Sequence, residues 1–147
     1  MNIGTKAAYA TRTVFFLALH ARDDRPARIS EISEGTGVPA NYLAHLLPEL
    51  KKAGFARSRR GATGGYALAR QASSISVAEV IEAMQGGCSE TPCSAGEGGG
   101  GCPMVANCAL EKLWRSLNEA QQKSLQAATF EDLVNQQLGA GRGSYTI

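Results

Sequence analysis

The chain has 147 residues, 44% of them apolar, with 15 Lys and Arg against 13 Asp and Glu. That length carries one domain, or one domain with an appended element. No basic–apolar–small leader opens the chain, and no apolar run approaches the roughly 18 residues a membrane span needs. A secreted or membrane protein is therefore not expected, and a cytoplasmic setting keeps thiols reduced. Charge is unevenly divided: residues 1–70 carry eleven basic and five acidic residues, and residues 71–147 carry four and eight. A basic front joined to an acidic back implies a polyanionic partner for the front alone.

In chain order, the first predicted element is a helix from Thr5, its cap, to about residue 22, with Ala10, Val14, Leu17 and Ala18 at helical spacing. "RDDRPAR" breaks it. Ser30 is read as the N-cap of a short helix carrying Ile32, with Glu31 at its positive end and Gly35 and Gly37 ending it. Pro39 opens a third helix at its first position, where a missing N–H costs nothing. This helix, residues 39–53, buries Leu43, Leu46, Leu47 and Leu50; Pro48 predicts a bend near residues 44–47, and Gly54 a C-terminal stop. Residues 55–59 and 66–68 read as short strands joined by a turn containing Gly61, Gly64 and Gly65.

Two helices joined by a tight turn and followed by a β-hairpin make a winged helix-turn-helix. Further on, Ser76 and Glu79 form a capping box before the stripe Val77, Val80, Ile81 and Met84. Gly86 and Gly87 stop that helix. Beyond Cys108 a long helix extends to about residue 127, with Leu110, Leu113, Trp114, Leu117, Gln121 and Leu125 along one stripe. A second copy of itself is the simplest surface for such a helix to lie against. Thr129 with Asp132 caps a last short helix carrying Leu133, Val134 and Leu138, and a frayed tail follows. The fold class is thus mainly α with a small β-hairpin wing. The divisions are a winged helix-turn-helix over 1–85, a Gly/Cys-rich loop over 86–108, a dimerisation helix and short C-terminal helix over 109–138, and a flexible tail over 139–147.

From Lys51 to Arg70 there are six Lys or Arg and no acid. Winged-helix domains contact phosphates with the wing and read bases with the second helix of the turn motif. Arg57, Arg59 and Arg60 at the wing base are placed to track a phosphate backbone, and Thr63 with the Gly64 and Gly65 N–H groups reaches the neighbouring groove. Asn41, Tyr42 and His45 fall at the exposed start of the third helix, where Asn pairs with adenine and Tyr or His donates to bases or phosphates. Tyr42 serves equally well as a packing residue against Leu46. Charge coinciding with helix–turn–helix–hairpin favours double-stranded DNA over a merely solvated face.

All four cysteines, Cys88, Cys93, Cys102 and Cys108, fall within 21 residues, and seven of residues 86–101 are Gly. The spacing C-x4-C-x8-C-x5-C lacks the paired knuckles of structural zinc. An iron–sulfur cluster organises an irregular loop by itself, so a cluster is favoured over zinc or a disulfide switch.

Together "TKAAYATR", "ISEISEGTGVPANYLAHLLPELKKAGF", "RRGATGGYALAR", "SSISVAEVIEAM" and "CALEKLW" resemble, in order and spacing, the IscR/NsrR/RirA-type family of winged-helix iron–sulfur transcription regulators. The resemblance covers residues 1 to about 138. It implies a homodimeric regulator, not an enzyme, that binds operator DNA and senses redox, nitric oxide or iron status. It further implies a two-iron or four-iron cluster on the trio Cys93, Cys102 and Cys108, with three residues more between the first two than the family's usual C-x5-C-x5-C. The family's fourth ligand is an acid where this chain has Ala8, or a His where it has Glu111. Cys88, an extra thiol, is the preferred fourth ligand here, and Glu111 the next. The alternatives are a cluster-free thiol or small-molecule sensor on the same fold, and an iron–sulfur electron carrier.

Overall fold

The computed structural model describes residues 3–23, 25–86 and 108–142, with side chains as far as 139. In chain order it has α1 (Thr5–His20), a 3₁₀ turn (Ala21–Asp23), α2 (Ile29–Thr36), α3 (Ala40–Lys52) and the antiparallel strands β1 (Ala56–Arg59) and β2 (Gly65–Leu68). A second 3₁₀ turn (Ala72–Ser74), α4 (Val77–Gln85), α5 (Ala109–Ala127) and α6 (Phe130–Arg142) complete it. The fold is mainly helical with a two-stranded wing, as expected.

α1 is the central element. Ala7, Ala10, Val14 and Leu17 recur at helical spacing and are all fully buried. Small residues at the first two positions let neighbouring helices approach closely. The buried Thr13 hydroxyl donates to the Tyr9 carbonyl at 2.8 Å, so no polar group is left stranded. Leu43, Leu46, Leu47 and Leu50 of α3 close the core from one side, each contributing on the order of 1.5–3 kcal/mol by burial. α3 remains one helix through Pro48. Its end is a Schellman motif: the Gly54 N–H donates to the Lys51 carbonyl at 3.1 Å and the Phe55 N–H to the Leu50 carbonyl at 2.9 Å.

Several caps differ from the expected ones. Gly4, not Thr5, caps α1, and its N–H donates to Gln85 Oε1 at 2.9 Å. Arg28, not Ser30, caps α2, because Glu31 reaches back to the Arg28 N–H at 2.7 Å. Pro39 is the cap of α3 rather than its first helical residue. Gly35 lies inside α2 rather than ending it, and a Cβ there would overlap the Phe16 ring, so this glycine permits α1 and α2 to touch. The capping box at α4 forms as expected: the Glu79 N–H donates to Ser76 Oγ at 3.3 Å and the Ser76 N–H to Glu79 Oε2 at 2.7 Å. The Ser76 N–H, and then Arg70 at 3.0 Å, hold the Glu79 carboxyl below the usual carboxylate range.

α6 is longer than expected. It begins at the Thr129–Asp132 box but runs through Arg142, beyond residue 138 and into the segment read as tail. It also belongs to the main core. Phe130 and Val134 are buried in the cluster built around α1, and the Phe130 N–H donates to the Ile75 carbonyl at 3.0 Å.

Candidate nucleic-acid interface and cysteine site

The wing is more than a hairpin. β1 and β2 pair from Ala56–Leu68 to Arg59–Gly65, and Ala27 adds a single-residue third rung through two 2.8 Å hydrogen bonds with Tyr66. A Cβ on Gly65 would stand 2.5 Å from the Ala27 carbonyl oxygen, so that rung requires glycine. Arg28 Nη2 donates to the Ala62 carbonyl at 2.6 Å, tying the wing tip to the start of α2. Lys51 Nζ meets Ser58 Oγ at 2.7 Å, tying the end of α3 to β1. Three attachments thus fix the wing, two of them to the segment before α2 and the start of that helix and one to α3. Arg28 escaped the sequence reading because "RDDRPAR" signals only a helix break; its reach to the wing tip is a tertiary fact.

Asn41 and His45 are exposed and one turn apart on α3, so they share a face. Tyr42 is half-buried. Its ring packs edge-on against Tyr9, centroids 5.1 Å apart, with the Arg12 guanidinium 5.7 Å from the Tyr9 ring. Its ring partner is thus Tyr9 of α1, and it also packs against the core cluster to which Leu46 belongs. Arg57, Arg59, Arg60 and Thr63 are all exposed. Arg57 already spends its Nε–H on the Leu68 carbonyl at 3.0 Å. The Gly64 N–H donates to the Gly61 carbonyl at 2.9 Å and so closes the wing turn.

Acidic residues near this surface are neutralised. Glu31 bonds Arg25 at 2.7 Å, which together with the Arg28 N–H holds its carboxyl below the usual range. Glu49 pairs with Lys6. Arg59 and Arg60 form no ion pair among the described residues. The face therefore presents uncompensated positive charge, which suits phosphates.

Of the cysteine site, Cys108 is a half-buried free thiol at the N-cap of α5. Glu111 lies on the first turn of that helix, its carboxylate bonded by Arg115 Nε at 3.0 Å. Cys88, Cys93 and Cys102 lie outside the described residues. α5 itself is two-faced: Leu110, Leu113, Trp114 and Leu117 are 57, 50, 36 and 51% exposed, while Leu125 packs on the core.

The Rrf2 family, described as an iron-dependent transcriptional regulator, matches residues 3–136. This chain belongs to that family. The HTH-type transcriptional regulator IscR of Klebsiella pneumoniae (strain 342) is 37% identical over 137 residues, covering 93% of this chain and 82% of the relative. Among solved structures, CymR, the global cysteine regulator of B. subtilis, superposes with a TM-score of 0.76 at 27% identity, over 92% of this chain and 97% of that one. IscR of T. potens gives 0.75 at 26% identity, over 100% and 93%. The Rrf2 chain described here is thus a DNA-binding transcription regulator and not an enzyme. None of its described helices is long and apolar enough to cross a membrane.

Proposed function

We propose that this Rrf2 protein is a cytoplasmic, homodimeric repressor or activator whose affinity for operator DNA is set by an iron–sulfur cluster on its cysteine segment. The observation that carries the DNA-facing part is the wing: Arg59 and Arg60 are exposed and unpaired among the described residues, on a hairpin bolted to α3. In this reading Arg57, Arg59, Arg60 and Thr63 meet phosphates, and Asn41 and His45, aided by Tyr42, read bases. Residues 1–85 form the DNA-binding unit, 86–108 the cluster loop, and α5 the dimer interface.

The Arg59→Ala, Arg60→Ala double variant is expected to weaken binding to every DNA sequence alike and to lower the salt slope of the dimer by about four, two contacts from each protomer. Asn41→Ala or His45→Ala instead shifts base preference, by about 1–3 kcal/mol at the base each one contacts. Equal losses on all sequences from all four substitutions remove the base-reading role. The measurement is anisotropy titration against fragments of the gene's own promoter at several salt concentrations.

The cluster, of two or four irons, is held by Cys93, Cys102 and Cys108 with Cys88 as the fourth ligand. The donor chemistry fits: Cys108 is a free thiol, and Glu111 is already engaged by Arg115, which favours Cys88 over it. When bound, a cluster supplies a group that oxidants, nitric oxide or iron loss can alter. Cys108 adjoins the exposed stripe of α5, so a change there acts at the dimer interface. A cluster-free thiol switch is the second reading, favoured by the likeness to CymR of Staphylococcus aureus in its oxidized form, with TM-score 0.68 and 28% identity. Protein purified without oxygen is expected to be brown, with iron and sulfide that Cys108→Ala removes. Colourless protein, with or without zinc, defeats the cluster; colour surviving Cys88→Ala unchanged moves the fourth ligand to Glu111.

A further inference from the structure

A cleft of about 830 Å³ opens between the end of α1, the segment Arg25–Pro26 and the outer side of the wing strands. It is large enough for a small organic ligand. Four arginines line it, Arg25, Arg57, Arg59 and Arg70, and no Asp or Glu is among its described lining residues. Arg25 and Arg70 are neutralised from outside the cleft by Glu31 at 2.7 Å and Glu79 at 3.0 Å. Arg57 and Arg59 form no ion pair among the described residues. They alternate along β1 and so project from the same face of the strand. Side by side, the Arg59 guanidinium and the Nη groups that Arg57 keeps beyond its Nε–H bond to the Leu68 carbonyl match the oxygens of a carboxylate or phosphate.

The rest of the cleft is not built for a bare ion. Ala67 and Ala72 contribute apolar surface, and His20, stacked on Phe16 at 4.1 Å, is also in the lining. We propose that this cleft binds a small organic oxyanion, a carboxylate or phosphate on an apolar body, and that its occupancy lowers operator affinity. The lowering follows from shared groups: Arg57 and Arg59 engaged by the ligand are withdrawn from DNA phosphates, and the coupling is reciprocal. The consequence for operator affinity rests on the DNA-binding reading above; the occupancy itself does not.

The test uses phenylphosphonate as the probe and inorganic phosphate as its control, titrated into the DNA-free protein by calorimetry and by amide NMR. Phenylphosphonate is expected to bind about tenfold tighter than inorganic phosphate, through burial of its ring. Ala21→Trp, which fills the cleft from the exposed 3₁₀ turn, is expected to abolish that binding while operator affinity without probe stays within about threefold. Arg59→Ala, an exposed position that leaves the core intact, is expected to weaken the probe about tenfold. At constant ionic strength, saturating probe is expected to lower operator affinity about tenfold. The proposal is overturned if phenylphosphonate binds no better than phosphate, or binds Ala21→Trp and Arg59→Ala as it binds the parent. It is also overturned if the DNA-free protein takes up no probe while Arg57→Ala lowers the salt slope, since the cleft then serves the DNA backbone alone. Absence of operator binding without any probe instead defeats the proposed function, leaving probe uptake to be judged separately.

Discussion

Replacing Leu113 and Leu117 together by glutamate is expected to leave the protein monomeric and to weaken operator binding by about a hundredfold or more. The two leucines stand 50 and 51% exposed and, with Leu110 and Trp114, form one apolar stripe open to solvent among the described residues. Leaving such a stripe in water forgoes on the order of 1.5–3 kcal/mol for each large side chain. In the proposed dimer a second α5 covers it. A dimer presents two α3 helices and two wings to two half-sites, and the second engagement occurs at high effective concentration. Carboxylates facing carboxylates across the interface remove that advantage while leaving each monomer's core intact. Sedimentation at micromolar protein and an operator titration read the two effects. A dimer with unaltered affinity would show that α5 does not form the interface.

Phe130→Ala is expected to cost about 3–5 kcal/mol of folding stability. Phe130 is 1% exposed and stands with Val134 in the cluster around α1. Its backbone N–H is bonded to the Ile75 carbonyl, and the Ser76–Thr129 bridge lies next to it, so the surroundings cannot collapse into the space left behind. Chemical denaturation of the variant measures the loss. A value below about 1 kcal/mol would mean that α6 is peripheral to the core.

The helices and their ends were largely legible in the chain itself. The Ser76–Glu79 and Thr129–Asp132 boxes, the glycine stop at Gly54 and the leucines of α3 all act within one or two turns. Local spacing carries that information because the partners are covalently close. The basic, acid-free stretch from Lys51 to Arg70 was legible for the same reason. Capping at Arg28 rather than Ser30 was not, since any residue's backbone N–H can donate to the Glu31 carboxylate whatever its own side chain is.

Tertiary structure decided the rest. Tyr42 is drawn onto Tyr9, 33 positions earlier, a pairing that no periodicity within α3 encodes. The third rung of the wing is made by the Ala27 backbone, whose N–H and C=O leave no mark on the sequence. Gly35 and Gly65 read as punctuation, yet one admits the Phe16 ring and the other the Ala27 carbonyl. Likewise α5 reads as one apolar stripe, and folding divides it into an exposed half and a half resting on the core. Composition and spacing by themselves determined which residues are helical and which carry charge. Which of those residues meet was decided only when segments distant along the chain came to share one core, because burial and steric fit depend on what arrives from elsewhere.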